Sequence, residues 1–212
     1  MQSVAVIDYG ASNLRSVVKA LEYVSQGRHK ILLTDSPELI HSADKIVFPG
    51  QGAIKQCMDS LVHKGLDLVI KESIFKKPYL GLCLGLQALF DSSEEDGGTL
   101  GLGIIPGNVL RFPEASKDEY GEAYKIPHMG WNLVNHDKTH PMWDGISEAE
   151  RFYFVHSYYV NPDNKEDVCG STDYILPFTS VVARENLFAV QFHPEKSQKS
   201  GLQLLLNFLN WQ

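Results

Sequence analysis

Short apolar runs alternate with amphipathic helical segments through the first half of this chain, and that alternation limits the fold more than any other feature. Residues 4–7 (Val-Ala-Val-Ile) read as a buried strand ended by Asp8-Tyr9-Gly10. Ser12 or Asn13 can cap the next helix, whose apolar positions Leu14, Val17, Val18, Leu21 and Val24 recur at helical spacing. Residues 30–33 and 45–48 are further strands, separated by a short capped turn at 35–39. The third strand closes at Pro49-Gly50-Gln51-Gly52, and a helix with Ile54, Met58, Leu61 and Val62 on one face follows. Residues 78–82 form another strand that leads straight into a helix carrying Leu86, Leu89 and Phe90. This order predicts an α/β fold with a mostly parallel sheet and helices on both faces. In such sheets the reactive groups gather at the carboxyl ends of the strands. The turns after Ile7, Phe48 and Leu82 are therefore where chemistry is expected.

The second half has a different texture, rich in aromatic and β-branched runs at 103–112, 152–160, 179–184 and 187–192. Glu185-Asn186 resembles a tight hairpin turn, and a helix at 197–209, capped by Ser197, ends the chain. Residues 114–122 and 161–167 are polar and read as surface loops. With 212 residues and no evident linker, one domain spanning 1–212 is expected. Nineteen Lys and Arg against 26 Asp and Glu leave a net charge of −7, so no basic excess is present to displace counterions from nucleic acid. Cys57, Cys83 and Cys169 are an odd count without metal-ligand spacing, which predicts a reducing compartment and no metal. No apolar stretch approaches the roughly 20 residues that span a bilayer, so a cytoplasmic protein without membrane contact is expected.

Gly81-Leu82-Cys83-Leu84-Gly85 has the G-x-nucleophile-x-G form at a strand-to-helix turn. Flanking glycines let the backbone bend sharply, and the helix N-terminus favours thiolate over thiol. A packed, inert cysteine is the competing reading of a lone motif of this kind. Cys57 and Cys169 lack such surroundings and are expected to be inert. A second strand-like run, at 187–192, ends in His193-Pro194-Glu195. A histidine there can exchange a proton with a thiolate at a neighbouring strand end. Glu195, two residues on, can orient the imidazole, or it can cap the helix that follows.

Taken together, residues 81–87 (Gly-Leu-Cys-Leu-Gly-Leu-Gln) and His193-Pro194-Glu195 resemble the class I, triad-type glutamine amidotransferases. Four further segments, residues 7–14, 49–53, 127–132 (Pro-His-Met-Gly-Trp-Asn) and 154–158, narrow the resemblance to the glutaminase subunits of imidazole glycerol phosphate synthase. The resemblance runs nearly end to end. It implies a three-layer, flavodoxin-like α/β fold with an added antiparallel strand region in the second half. It also implies a Cys83, His193, Glu195 triad and an oxyanion hole from Gly50, Gln51 and Leu84, in which a peptide flip aims the Gln51 N–H at the oxyanion. Glutamine would be held by Gly50, Gly52, Gln87, Glu95, Ser157 and Tyr158. The family often has an apolar residue where Gln51 stands; the backbone N–H is the working group, so little effect is expected.

By the same resemblance, no metal or organic cofactor is needed. The partner would be a separate cyclase, a β/α-barrel subunit forming a heterodimer with this chain, because 212 residues leave no room for a barrel of roughly 250. Asn13 and Lys196, both beside active-site turns, would lie at that contact. Three other readings compete: the same glutaminase feeding a different ammonia acceptor, a binding subunit without turnover, and a cysteine peptidase.

Overall fold

The structure is a computed structural model and describes residues 1–114 and 121–212. The first half builds the parallel part of the sheet from β1 (Gln2–Ile7), β2 (His29–Thr34), β3 (Lys45–Phe48) and β4 (Tyr79–Leu82). Between them run the helices α1 (Leu14–Ser25), α2 (Pro37–Ser42), α3 (Ile54–His63) and α4 (Leu66–Ser73), with the single-turn α5 (Leu84–Gln87) directly after β4. The second half adds β5 (Phe90–Ser93), β6 (Thr99–Leu100), β7 (Ile105–Arg111), β8 (His128–His136), β9 (Glu150–His156), β10 (Tyr158–Pro162), β11 (Val168–Asp173), β12 (Pro177–Arg184), β13 (Leu187–Val190) and the final α6 (Gln198–Asn210).

The main sheet runs β2-β1-β3-β4-β13-β12-β10-β7-β5-β6, parallel from β2 through β13 and antiparallel across β13, β12, β10 and β7. A branch leaves β12 through β11 to β8 and β9. This is the mostly parallel sheet flanked by helices, with an antiparallel addition, that the sequence predicts.

The apolar runs are continuous because both faces of the central strands are covered. Ala5, Ile7, Ile46, Phe48, Tyr79 and Ala189 point into one core with Ile54, Leu61, Val69 and Ile70 of α3 and α4. Their neighbours Val4, Val6, Val47, Leu80, Leu82, Phe188 and Val190 point into the other, against Val17 and Leu21 of α1 and Leu204, Leu205 and Phe208 of α6. Period-two alternation thus feeds two cores at once. None of the described helices is long and apolar enough to cross a membrane.

Several local expectations are corrected. The helix after residue 83 stops at Gln87, and Phe90 opens a strand. The carbonyls of Ala88, Leu89 and Phe90 accept hydrogen bonds from the N–H groups of Leu102, Ile104 and Gly103, at 2.8, 2.8 and 3.1 Å, so the segment 102–104 takes the acceptors a longer helix would use. Neither Asn13 nor Ser197 caps a helix with its side chain. Asn13 is left-handed (φ 66°) and accepts from Ser16 Oγ at 2.5 Å, while the Ser197 hydroxyl is used elsewhere. The short turn at 35–39 is the start of α2, capped by Ser36, whose hydroxyl accepts from the Leu39 N–H at 3.2 Å. Residues 161–162 belong to β10 rather than to a loop, and most of the polar stretch at 114–122 lies outside the described residues.

Gly85 shows how tightly the turn after β4 is packed. A Cβ there would collide with the Phe48 carbonyl oxygen at the end of β3 and lie 3.3 Å from the Phe48 ring. Gly85→Ala is therefore expected to cost about 1–3 kcal/mol in urea unfolding, the usual cost of overpacking, since the neighbour is backbone and cannot swing aside. An unchanged urea midpoint would refute the close contact.

Candidate active site

Cys83 occupies the bend between β4 and α5 with φ 52° and ψ −102°, a conformation unfavourable for a residue with a side chain. The surrounding contacts hold it there. Its N–H donates to the Val190 carbonyl at 2.8 Å, continuing the β4–β13 pairing by one residue. Its carbonyl accepts from the N–H groups of Leu86 and Gln87 at 3.0 and 3.2 Å. The cysteine is 7% exposed.

Because β13 lies beside β4 and runs parallel to it, the segment after β13 arrives at the same edge of the sheet. His193 is anchored there through its main chain. Its N–H donates to the Tyr153 carbonyl at 2.9 Å. The Ser197 hydroxyl donates to the His193 carbonyl at 2.7 Å and accepts from the Tyr153 N–H at 2.9 Å. Ser197 thus fastens the segment to β9, a role its place before a helix did not suggest. The ring Nδ1–H donates to Glu195 Oε1 at 2.9 Å, with both side chains almost fully buried.

That contact fixes the ring and leaves Nε2 for the sulfur. Nε2 makes no strict hydrogen bond among the described residues, yet Cys83 is close enough to act on it electrostatically. Burial on its own pushes the ring pKa down. The Cys83 thiolate and the Glu195 carboxylate outweigh burial and raise it to about 10. The ring therefore carries its proton at neutral pH when the sulfur is charged. A pKa raised in the folded state stabilises the fold fully below the ordinary 6.5, and this contribution is lost as pH rises through about 10.

Cys83 forms part of a pocket of about 250 Å³, large enough for an amino acid, whose lining includes Gln51, Gly52, Gln87, Glu95, Ser157 and Tyr158. Pro127 and His156 complete one wall. Glu95, not Glu94, faces this space. Its Oε2 accepts from the Ile54 N–H at 2.9 Å, and burial pushes its carboxyl pKa up, whereas Glu94 turns away to accept from the Arg111 N–H at 2.8 Å.

The turn after β3 meets the bend at residue 83 with its carbonyl rather than its N–H. The Leu84 N–H donates to the Gly50 carbonyl at 3.4 Å, so one of the two donors expected of an oxyanion hole is occupied and the Gln51 N–H is not turned in. Gly50 permits this approach: a Cβ there would stand 2.5 Å from the Tyr9 hydroxyl and 2.9 Å from Leu84 Cβ. Asn13 is exposed and lines a narrow crevice with Gly50, Gln51, His193 and Glu195. Lys196 Nζ lies 6.0 Å from the centre of the Tyr153 ring.

Burial pushes the pKa of Cys57 up to about 12 and that of Cys169 up to about 11, as suits unreactive thiols. Among the described residues, no cluster of His, Cys, Asp or Glu could hold a metal ion. Sequence reasoning missed Gln191, which is fully buried and donates through Nε2 to Cys83 Sγ at 3.6 Å. The available signal was a glutamine within an otherwise apolar run.

The Glutamine amidotransferase class-I family matches residues 5–211. Over its whole length the chain is 52% identical to the imidazole glycerol phosphate synthase subunit HisH of Methylococcus capsulatus, covering 98% of that protein. It is 53% identical to the HisH subunit of Nitrosococcus oceani, again over its whole length and 98% of the relative. The fold is similar to the glutaminase domain of Trypanosoma brucei CTPS with bound acivicin, with a TM-score of 0.69 at 19% identity over 99% of this chain and 92% of that one. It is also similar to a glutamine amidotransferase of Thermotoga maritima, with a TM-score of 0.65 at 14% identity over 94% of this chain and 78% of that one.

Glu195→Gln keeps the shape of the His193 partner and removes its charge. The His193 ring titration, followed by NMR, is expected to move down by about one unit or more. A midpoint unchanged from wild type would show that the carboxylate does not act on the ring.

Proposed function

The chain belongs to the class-I glutamine amidotransferases, and from that membership we propose that it works as the glutaminase subunit of imidazole glycerol phosphate synthase, in histidine biosynthesis. It hydrolyses L-glutamine to glutamate and ammonia. The observation that carries the chemical reading is a strained, nearly buried Cys83, close enough to act on the charge of a His193 ring held by Glu195, beside a pocket of about 250 Å³.

In the first step the Cys83 thiolate attacks the amide carbon of the glutamine side chain. The carbonyl oxygen becomes the oxyanion of a tetrahedral adduct. His193, protonated beside the sulfur, gives its proton to the departing nitrogen, so ammonia leaves and a γ-glutamyl thioester remains. The ring, now neutral, takes a proton from water. The resulting hydroxide attacks the thioester, and the Cys83 thiolate departs as glutamate is released. Gln87, Glu95 and the main chain at Gly50, Gly52, Ser157 and Tyr158 hold the substrate, with the Glu95 carboxylate meeting its α-ammonium. No metal or organic cofactor takes part.

The resting turn at residues 50–51 gives this reading a switch. Rotating the Gly50–Gln51 peptide would remove the Gly50 carbonyl from the Leu84 N–H and turn the Gln51 N–H toward the substrate. Two donors would then face the oxyanion, and one such donor is worth about 3–4 kcal/mol of transition-state stabilisation. Coupling that rotation to the partner avoids wasting glutamine. We assign the ammonia acceptor to a separate cyclase subunit, a β/α barrel that forms a heterodimer with this chain in the cytoplasm. By the family resemblance we assign Asn13 and Lys196 to the contact; Asn13 lines the crevice with Gln51 and His193, and Lys196 ends the turn that follows His193.

Cys83→Ala is expected to lower glutamine-driven synthesis by the heterodimer roughly 10³-fold or more, leaving ammonia-driven synthesis by the partner within about twofold. Loss of both activities would contradict this division of labour. Lys196→Ala is expected to lower the ratio of product formed to glutamine consumed while leaving the thermal midpoint of this chain in place. A ratio equal to wild type would remove Lys196 from the contact.

A further inference from the structure

Two runs of hydrogen bonds meet at the Tyr158 carbonyl, one of them leading to Cys83, and their directions follow from donor and acceptor chemistry alone. The Tyr158 carbonyl can only accept, and it lies 2.7 Å from His156 Nδ1 and 3.1 Å from Gln87 Nε2. His156 therefore carries its proton on Nδ1. Its ring is buried, and burial above all lowers its pKa to about 3, so it is neutral and Nε2 is an acceptor. His128 Nδ1, 3.0 Å away, must donate to it, which makes His128 Nε2 the acceptor for Asn132 Nδ2 at 3.2 Å. Burial lowers the His128 pKa to about 4, so that ring is neutral as well.

The same logic runs from Tyr158 to the sulfur. With the Gln87 amide nitrogen committed to the Tyr158 carbonyl, its second N–H points to Gln191 at 3.2 Å, and the Gln191 atom there must be the oxygen. The Gln191 nitrogen is thereby left facing Cys83 Sγ at 3.6 Å. A free amide in this position could turn either end to the sulfur, and the wrong end would set an oxygen lone pair against a thiolate. Gln191 is 0% exposed and Gln87 5%, so water has little access to compete for these groups.

We propose that Gln191 is a further catalytic residue: its amide N–H stabilises the Cys83 thiolate, and the Tyr158 carbonyl, which can only accept, fixes through Gln87 the end of the amide that meets the sulfur. His156, backed by His128, holds that carbonyl in place, and both are positioning residues in this scheme. The proposal rests on the reading of Cys83 as nucleophile. The ionisable groups that act on the sulfur are His193 with Glu195 behind it and, from the turn after β1, the Tyr9 phenol; Glu95 lies on the pocket wall. Gln191 adds a neutral donor to that set, which lowers the thiolate's energy without altering the charge of the site.

The test compares wild type, Gln191→Met and Gln191→Glu in the assembled heterodimer. Alkylation by iodoacetamide is followed at Cys83 by peptide mapping as a function of pH, beside glutamine-driven and ammonia-driven turnover. In Gln191→Met the midpoint of Cys83 alkylation is expected to rise by about one pH unit, which is about tenfold slower alkylation below the midpoint. The kcat for glutamine is expected to fall about tenfold with KM within about twofold, ammonia-driven turnover is expected to persist, showing that the partner is intact, and an unchanged thermal midpoint of this chain shows that its fold is intact. Gln191→Glu, which sets a carboxylate against the sulfur, is expected to raise the midpoint further. A Gln191→Met protein with the wild-type alkylation profile and kcat overturns the proposal. Should the variants fail to assemble, the wild type decides: the side-chain amide 1H–15N signal of Gln191 is expected to titrate with the Cys83 midpoint, and a pH-invariant signal overturns the proposal. A Cys83→Ala heterodimer that still used glutamine would instead overturn the nucleophile assignment itself.

Discussion

The parallel pairing of β4 with β13 is the interaction on which the rest of the site depends. Leu82 lies beside Val190, and the Cys83 N–H continues the ladder to the Val190 carbonyl at 2.8 Å. That register brings two segments remote in sequence to the same edge of the sheet, one ending in Cys83 and the other in His193. A slip of one residue would reverse the faces of Phe188 and Val190, burying them on the wrong side and carrying His193 away from the sulfur. The two cores enforce the register. Ala189 belongs to one apolar layer, while Phe188 and Val190 belong to the other.

Around that pairing the protein buries an unusual amount of polar chemistry. Gln87, Gln191, His128, His156 and His193 are each 6% exposed or less. Buried polar groups are costly unless they are partnered; His193 is paired with Glu195, and the other four join in one network. The consequence is rigidity where the reaction needs it. The ring of His193 cannot rotate without giving up Glu195, and Tyr158 cannot move without disturbing both His156 and Gln87. The turn at residues 50–51 is held more weakly toward the nucleophile, by a single 3.4 Å contact from the Leu84 N–H. It is the part of the site best suited to change between two arrangements.

Much of the architecture was legible along the chain because its signals are local. The runs at 4–7, 46–48 and 78–82 are apolar without interruption, and the structure gives the reason: both faces of those strands are covered. Cys83 was conspicuous between two glycines, and Gly85 is demanded by the Phe48 carbonyl lying against it. Where local reading went astray, a distant segment had intervened. The helix begun at Leu84 ends after one turn because residues 102–104 take its acceptors. Ser197 stands where a cap belongs, yet its hydroxyl is spent on Tyr153 and His193.

By itself the sequence determined the order of strands and helices, the glycine-flanked bend that carries Cys83, and the triplet His193-Pro194-Glu195. Each of these is written in neighbouring residues, where side-chain volume and backbone freedom act directly. Only the tertiary structure decided that Glu95 rather than Glu94 faces the pocket, that the Gly50 carbonyl occupies the Leu84 N–H, and that Gln191 meets the sulfur. Those are choices among chemically similar groups a residue or a rotation apart. No local preference separates them, because the difference lies in which partner the folded chain carries to within hydrogen-bond reach.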